Sequence, residues 1–256
     1  MTTTYRLIVR AACGTFVIIA SAVVAAQQPE LPGGFIAPDP TVAIACGPQA
    51  VVTPPKASMR IIGSQEARKT LFGTRDAVVV SGGTDQGVRV GQEFFVRRVD
   101  SDQFALPLAG VAPIGIKTSG WVRIVDVQKE LAIAVVTHAC DGMLEGDYLE
   151  PFVRPVEPAA LPAGEPDYAN AGVLIMGDER RQIGADGAMM ILDRGSSHGV
   201  RPGQRVTIFR DTLGGGAPVA RVGVGTAVLV RPETTVVRID RARDAIYVGD
   251  RAALQR

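Results

Sequence analysis

Gly83-Thr-Asp-Gln-Gly87-Val-Arg-Val-Gly91-Gln92 lies over Gly195-Ser-Ser-His-Gly199-Val-Arg-Pro-Gly203-Gln204 without a gap, and six of the ten positions are identical. The flanks agree. Upstream, Ala57-Ser-Met-Arg-Ile-Ile-Gly63 matches Ala171-Gly-Val-Leu-Ile-Met-Gly177 in pattern, and each glycine block follows an apolar run, Ala77–Val80 or Ala188–Leu192. Downstream, Glu93–Arg98 answers Arg205–Arg210, and Ile114-Gly115-Ile116 answers Val222-Gly223-Val224. Both copies close on Gly-Asp, at Gly146-Asp147 and Gly249-Asp250. A repeat of this length marks an internal duplication.

Within each copy the apolar residues alternate with polar or small ones, as in Leu131–Thr137 and Thr235–Asp240. That period belongs to half-buried strands. Glycine and proline are frequent, aromatics are few, and no convincing amphipathic helix interrupts the pattern. The expected fold is mainly β: two tandem small barrels, SH3-like or related, since a small sheet must close or be covered to protect its edges. A flat two-layer sandwich is the alternative. The glycines Gly83, Gly87, Gly91, Gly195, Gly199 and Gly203 are read as turn residues that allow positive φ in a compact loop.

The N-terminus carries Arg6 and Arg10, an apolar run from about Thr15 to Val24, and small residues before Gln27. Residues 1–26 therefore have the layout of a cleavable signal peptide. An uncleaved anchor is the alternative, against which the apolar run falls short of the roughly 20 residues a span needs. Cys13 precedes the apolar core, the wrong place for a lipid anchor. The expected boundaries are a proline-rich segment at 27–56, a first module at 57–153, a linker with four prolines at 154–170, and a second module at 171–256. Val42–Ala45 is expected to add an edge strand, and the linker to be an extended spacer. Periplasmic or secreted localisation follows, with no transmembrane span after processing.

Removal of 1–26 leaves 25 basic against 26 acidic residues. Nucleic-acid binding, which needs clustered positive charge, is excluded as an expectation. Cys46 and Cys140 either pair in an oxidising compartment or stand as independent thiols; the sequence leaves both open.

No catalytic, metal or cofactor site is expected. The glycine spacing fits neither a P-loop nor a dinucleotide fingerprint. His138 and His198 occupy positions that are not repeated, and zinc usually recruits several close ligands. Asp141, Glu145, Asp147 and Glu150 read as a solvated turn, because calcium wants tighter ligand spacing. Ser81, Ser196 and Ser197 sit in no nucleophile elbow. Thr137-His138-Ala139-Cys140 places a histidine and a cysteine on one side of a strand, which keeps open an envelope hydrolase using His138 and Cys140.

The pattern carried by Gly83, Gly87, Val88 and Gly91, and again by Gly195, Gly199, Val200 and Gly203, resembles modules of bacterial envelope proteins. It is similar to the C-terminal barrel of flagellar T-ring assembly proteins and to the β domains of rod-shape-determining periplasmic scaffolds. The resemblance covers the strand–loop–strand core of each module. It implies a non-enzymatic binding or assembly module with an envelope protein as partner, or alternatively peptidoglycan or another glycan. Most aromatics lie in the first copy, and Trp121, Phe104, Tyr148 and Phe152 are the candidate partner surface.

Overall fold

The computed structural model describes residues 39–66, 68–211 and 218–256. The expected signal peptide and residues 27–38 of the leader lie outside the described residues. After helix α1 (Pro40–Cys46) and strand β1 (Gln49–Val51), the first module runs β2 (Ile61–Ser64), β3 (Leu71–Phe72), β4 (Ala77–Ser81), β5 (Glu93–Asp100), β6 (Ile114–Val127), β7 (Leu131–Ala139), β8 (Met143–Leu144) and β9 (Tyr148–Pro151). The second runs β10 (Gly172–Gly177), β11 (Ile183–Gly184), β12 (Met189–Leu192), β13 (Arg205–Arg210), β14 (Ala220–Val230), β15 (Thr235–Ala242), β16 (Ile246–Tyr247) and β17 (Arg251–Leu254). The protein is mainly β. No helix among the described residues is long and apolar enough to cross a membrane.

The two strand orders correspond element by element. The first sheet is ordered β2-β4-β7-β6-β5-β9, with β1 added on β6; the second is a closed barrel, β10-β12-β15-β14-β13-β17. The small pairs β3–β8 and β11–β16 correspond as well. Closure differs. In the second module β10 and β17 pair at Gly172↔Ala252 and Val173↔Arg251. In the first, the equivalent ends meet at a single bridge, Arg60↔Tyr148. Beside this bridge the Leu149 N–H donates to the Met59 carbonyl at 3.0 Å and the Ile61 N–H to the Asp147 carbonyl at 2.9 Å.

Alternation fills each interior. Phe94 and Val96 of β5 meet Val122 and Ile124 of β6 and Val78 and Val80 of β4 in one core. Val206, Ile208, Met190, Leu192, Val237 and Ile239 do the same in the other. Both copies run one strand past the expected Gly-Asp ending, and these extra strands, β9 and β17, flank β5 and β13.

The repeated block is a backbone device with two kinds of glycine. Gly87 and Gly91, at φ 77° and 88°, and Gly199 and Gly203, both at φ 80°, take the left-handed conformation expected of them. Gly83 and Gly195 do not; they are extended, and proximity is their constraint. A Cβ on Gly83 would stand 2.3 Å from the Gln128 carbonyl oxygen, and one on Gly195 2.1 Å from that of Arg231. His198 also has a structural counterpart after all: its Nδ1 accepts from the Gly195 N–H at 3.2 Å, where Gln86 Oε1 accepts from Gly83 at 2.9 Å.

The Gly-Asp endings carry a second repeated device. Asp147 is not part of a solvated turn; it is 3% exposed. Its Oδ1 accepts from Arg98 Nε at 2.7 Å and its Oδ2 from Arg98 Nη2 at 2.8 Å. Asp250 takes the same fork from Arg210 at 2.6 and 2.8 Å. Each pair ties β5 or β13 to the turn before the closing strand. Asp141 and Glu145 stay exposed as expected.

Gly195→Ala is expected to cost about 3 kcal/mol or more, because backbone must move, whereas Gly199→Ala, in open space at positive φ, costs about 1–2 kcal/mol. Urea denaturation of the two variants checks the order, and equal costs would refute the proximity argument.

Candidate functional site

Residues 39–52 strap the modules together. Asp39 caps α1, accepting from the Thr41 N–H at 2.9 Å, and Pro40 supplies the first helical residue. These signals make a helix where an edge strand is expected at Val42–Ala45; the strand is β1, slightly later. Ile44 packs with Met189, Val228 and Val236 of the second barrel. Two residues on, Cys46 is disulfide-bonded to Cys140 at the end of β7. β1 then pairs with the start of β6, Gln49↔Ile116 to Val51↔Ile114. The leader thus touches both modules.

A second seam adds to the strap. Leu106 and Leu108 pack against Ile175, Met176 and Ile191, and the Leu106 N–H donates to the Ile175 carbonyl at 2.9 Å. The linker is not a free spacer either. The Leu161 N–H donates to the Gly203 carbonyl at 2.8 Å, Glu165 and Arg256 exchange backbone bonds at 3.0 Å each, and Glu157 pairs with Arg238 at 2.5 Å. The proline-rich chain is extended as expected, but laid on the second barrel. All described residues belong to one compact unit.

On the outer face of the first module's sheet, side chains of β5, β6 and β7 meet residues following β9. Trp121 stacks on His138, its cross-strand neighbour, with centroids 4.4 Å apart and planes at 16°. Phe152 approaches Trp121 at 5.2 Å and Phe95 at 4.6 Å. A groove of about 480 Å³ lies here, lined by Val42, Glu93, Trp121, Arg123, Phe152 and Arg154 among others. Arg123 pairs with Glu93 at 2.8 Å and Arg154 with Asp39 at 3.4 Å. Trp121 and Phe152 are half-buried, as a contact surface with one supported face requires.

The other two candidate surface residues separate from this cluster. Phe104 is 56% exposed in the loop between β5 and β6 and makes no ring contact with the cluster. Tyr148 is 2% exposed, so its ring serves the fold and not a docking surface. It lies opposite Arg97 across β9 and β5, and its hydroxyl has no hydrogen-bond partner. Burial, with Glu150 adding to it, pushes the phenol from 10.0 up to about 12.

Cys46, His138 and Cys140 place one ligating atom each within 4.8 Å of one another. The two sulfurs are bonded to each other, however, and a disulfide offers no thiolate nucleophile. The His138–Cys140 pair needed for the hydrolase reading is therefore absent, and His138 serves as a support for Trp121.

The strand register exposes what distinguishes the faces, and it sets Gly120-Trp121 against Gly223-Val224, where the sequence pattern had Gly115-Ile116. Phe95, Arg97 and Trp121 stand where the second module has Thr207, Phe209 and Val224, and the pairing Phe95↔Trp121 answers Thr207↔Val224. Arg97 was not anticipated as a site residue. Its signal was an arginine in register with the apolar Phe209. No protein-family model matches this chain, and no curated protein matches it in sequence.

Replacing both Cys46 and Cys140 by serine is expected to lower stability by about 4 kcal/mol, since the bridge joins residues 94 apart. Amide exchange in residues 39–52 should rise with it. Unchanged stability would mean the strap is held by packing alone.

Tyr148→Phe removes a buried hydroxyl without a partner, so the variant should be as stable as the parent or more stable by about 1 kcal/mol. The folded chain holds the Tyr148 proton more tightly than the unfolded chain. The associated stability is full below pH 10 and is lost as pH rises toward 12. Urea melts across that window should show the loss in the parent and not in the variant.

Proposed function

We propose that this chain is an exported, non-enzymatic protein of a bacterial envelope that acts by binding a protein partner. The reading takes residues 1–26 as a signal peptide and the two modules as products of an internal duplication of one SH3-like barrel. The partner docks on the aromatic groove of the first module, at Trp121 and Phe152. The second module and the strap hold that surface rigid. The kinship with flagellar T-ring barrels and rod-shape scaffold domains belongs to this proposal.

The observation that carries it is the asymmetry between equivalent faces. With strand order shared, Phe95 and Trp121 replace Thr207 and Val224 on the outward side of β5 and β6. Phe95 is buried beneath the groove, while Trp121 and Phe152, half-buried and flanked by Arg123 and Arg154, have the make-up of protein-interface anchors. Two modules on a loose tether would gain from bivalency, but the packed seams between these modules favour one composite surface instead.

Glycan binding is the second reading, favoured by the mixture of Trp121 with the polar Glu93, Arg123 and Thr137 in one groove. The test is photo-crosslinking from position 152 in the native envelope, with binding to purified sacculi measured in parallel. A protein adduct that falls at least about tenfold with Trp121→Ala is the expected result, the scale of an interface hot spot. Capture by sacculi alone would move the assignment to the glycan, and an adduct indifferent to Trp121→Ala would dismiss the groove.

A further inference from the structure

Behind the aromatic cluster a separate cavity of about 260 Å³ lies where strap, first module and second barrel meet. Phe95, Val153, Pro155 and Leu229 give it apolar walls, and Arg97 and Arg231 bring two guanidinium groups from different modules. Val153 is 74% exposed, so the cavity communicates with solvent along the linker.

Arg97 is the unusual member. Its side chain is only 6% exposed, and its Nε, buried, makes no hydrogen bond. Glu150 Oε2 stands 3.1 Å from that nitrogen as an ion pair, outside hydrogen-bonding geometry, on a side chain 38% exposed. The guanidinium carbon lies 4.6 Å from the centroid of the Phe95 ring, over its face. Arg231 Nη2 donates to Gln49 Oε1, while its Nε is also buried without a partner. Burial draws the Arg97 guanidinium below its ordinary value; Glu150 opposes this, and the like charge of Arg231 adds to it. Two cations against one carboxylate leave about one positive charge to be met, which fits a monoanion better than a phosphate dianion.

We propose that this seam cavity binds the C-terminal carboxylate of a peptide chain, with the last apolar side chain against Phe95, Val153 and Leu229. Guanidinium donors match a carboxylate in planar, bidentate fashion. The cavity is smaller than the roughly 300–1,000 Å³ that enclose a whole small ligand, so it takes the end of a longer chain. That the peptide belongs to a protein partner rests on the binding reading above; the charge and shape of the cavity do not.

The test is calorimetry on the full mature chain with acetyl-Gly-Gly-Val as free acid, the same peptide as C-terminal amide, and acetate. The acid should bind at least about tenfold more tightly than the amide or acetate. Arg231→Gln and Arg97→Gln should each weaken the acid at least about tenfold without weakening the amide. Equal binding of acid and amide, no binding of the acid at millimolar concentration, or indifference to Arg231→Gln overturns the proposal. Acetate equal to the tripeptide overturns it too, since the apolar walls then contribute nothing. If Arg97→Gln does not fold, the half-buried Arg231 variant and the amide comparison decide the matter. Trp121→Ala should leave acid binding intact, so failure of the groove and failure of this cavity are separately visible.

Discussion

The link between Cys46 and Cys140 sets what the two modules are to one another. It joins residues 94 apart, a stretch that contains β1 to β7, and it fixes the helix that carries Ile44 into the second module. A short helix of seven residues has little stability of its own in water; here it is held by a covalent bond at its last residue, an Asp39 cap at its first, and an apolar contact between. The partner modules gain a common wall from it. The seam cavity and the aromatic groove both include Ala45 of this helix among their lining residues, so the strap supplies part of the wall of each.

Within each module the repeated residues solve problems of backbone geometry. Gly83 and Gly195 let a crossing chain pass where no Cβ fits, and the forked Arg–Asp pairs hold the turn before the closing strand. These constraints lie inside the module or at its hairpins. The outward faces of β5 and β6 are under no such demand, and that is where the copies part: Phe95, Arg97 and Trp121 on one side, Thr207, Phe209 and Val224 on the other. In the second module Tyr168, near the end of the linker, covers this face, edge-on to Phe209 at 4.9 Å. In the first, the face is left to the strap, Phe152 and solvent.

Periodicity and repetition made the strands, the duplicated pattern and the turn glycines legible, because these depend on neighbours a few residues apart. Three features were not. The helix at Pro40–Cys46 sits in a proline-rich leader whose Val-Ala-Ile-Ala run reads as a strand; its cap at Asp39 was the available signal. Asp147 read as solvated because its partner, Arg98, is 49 positions away, although the aligned Arg210 and Asp250 offered a hint. The seam between modules, with Arg97 facing Arg231, joins residues that no local pattern relates. Linker prolines spoke truly about an extended chain, but nothing in their spacing says which surface the chain lies on.

The charged seam is energetically odd, and the oddity has a direction. Burying a guanidinium beside another costs several kcal/mol of desolvation that one partly exposed glutamate recovers incompletely. Apolar replacements at such positions are often neutral or stabilising, and the second module already contains that solution at Phe209, 1% exposed and packed against Ala171 and Ala253. The first module instead spends its equivalent position on an arginine whose buried nitrogen lacks a hydrogen bond. Stability alone gives no reason for that choice. A ligand that supplies the missing negative charge does, and it would draw the two modules together through the same contact that satisfies them.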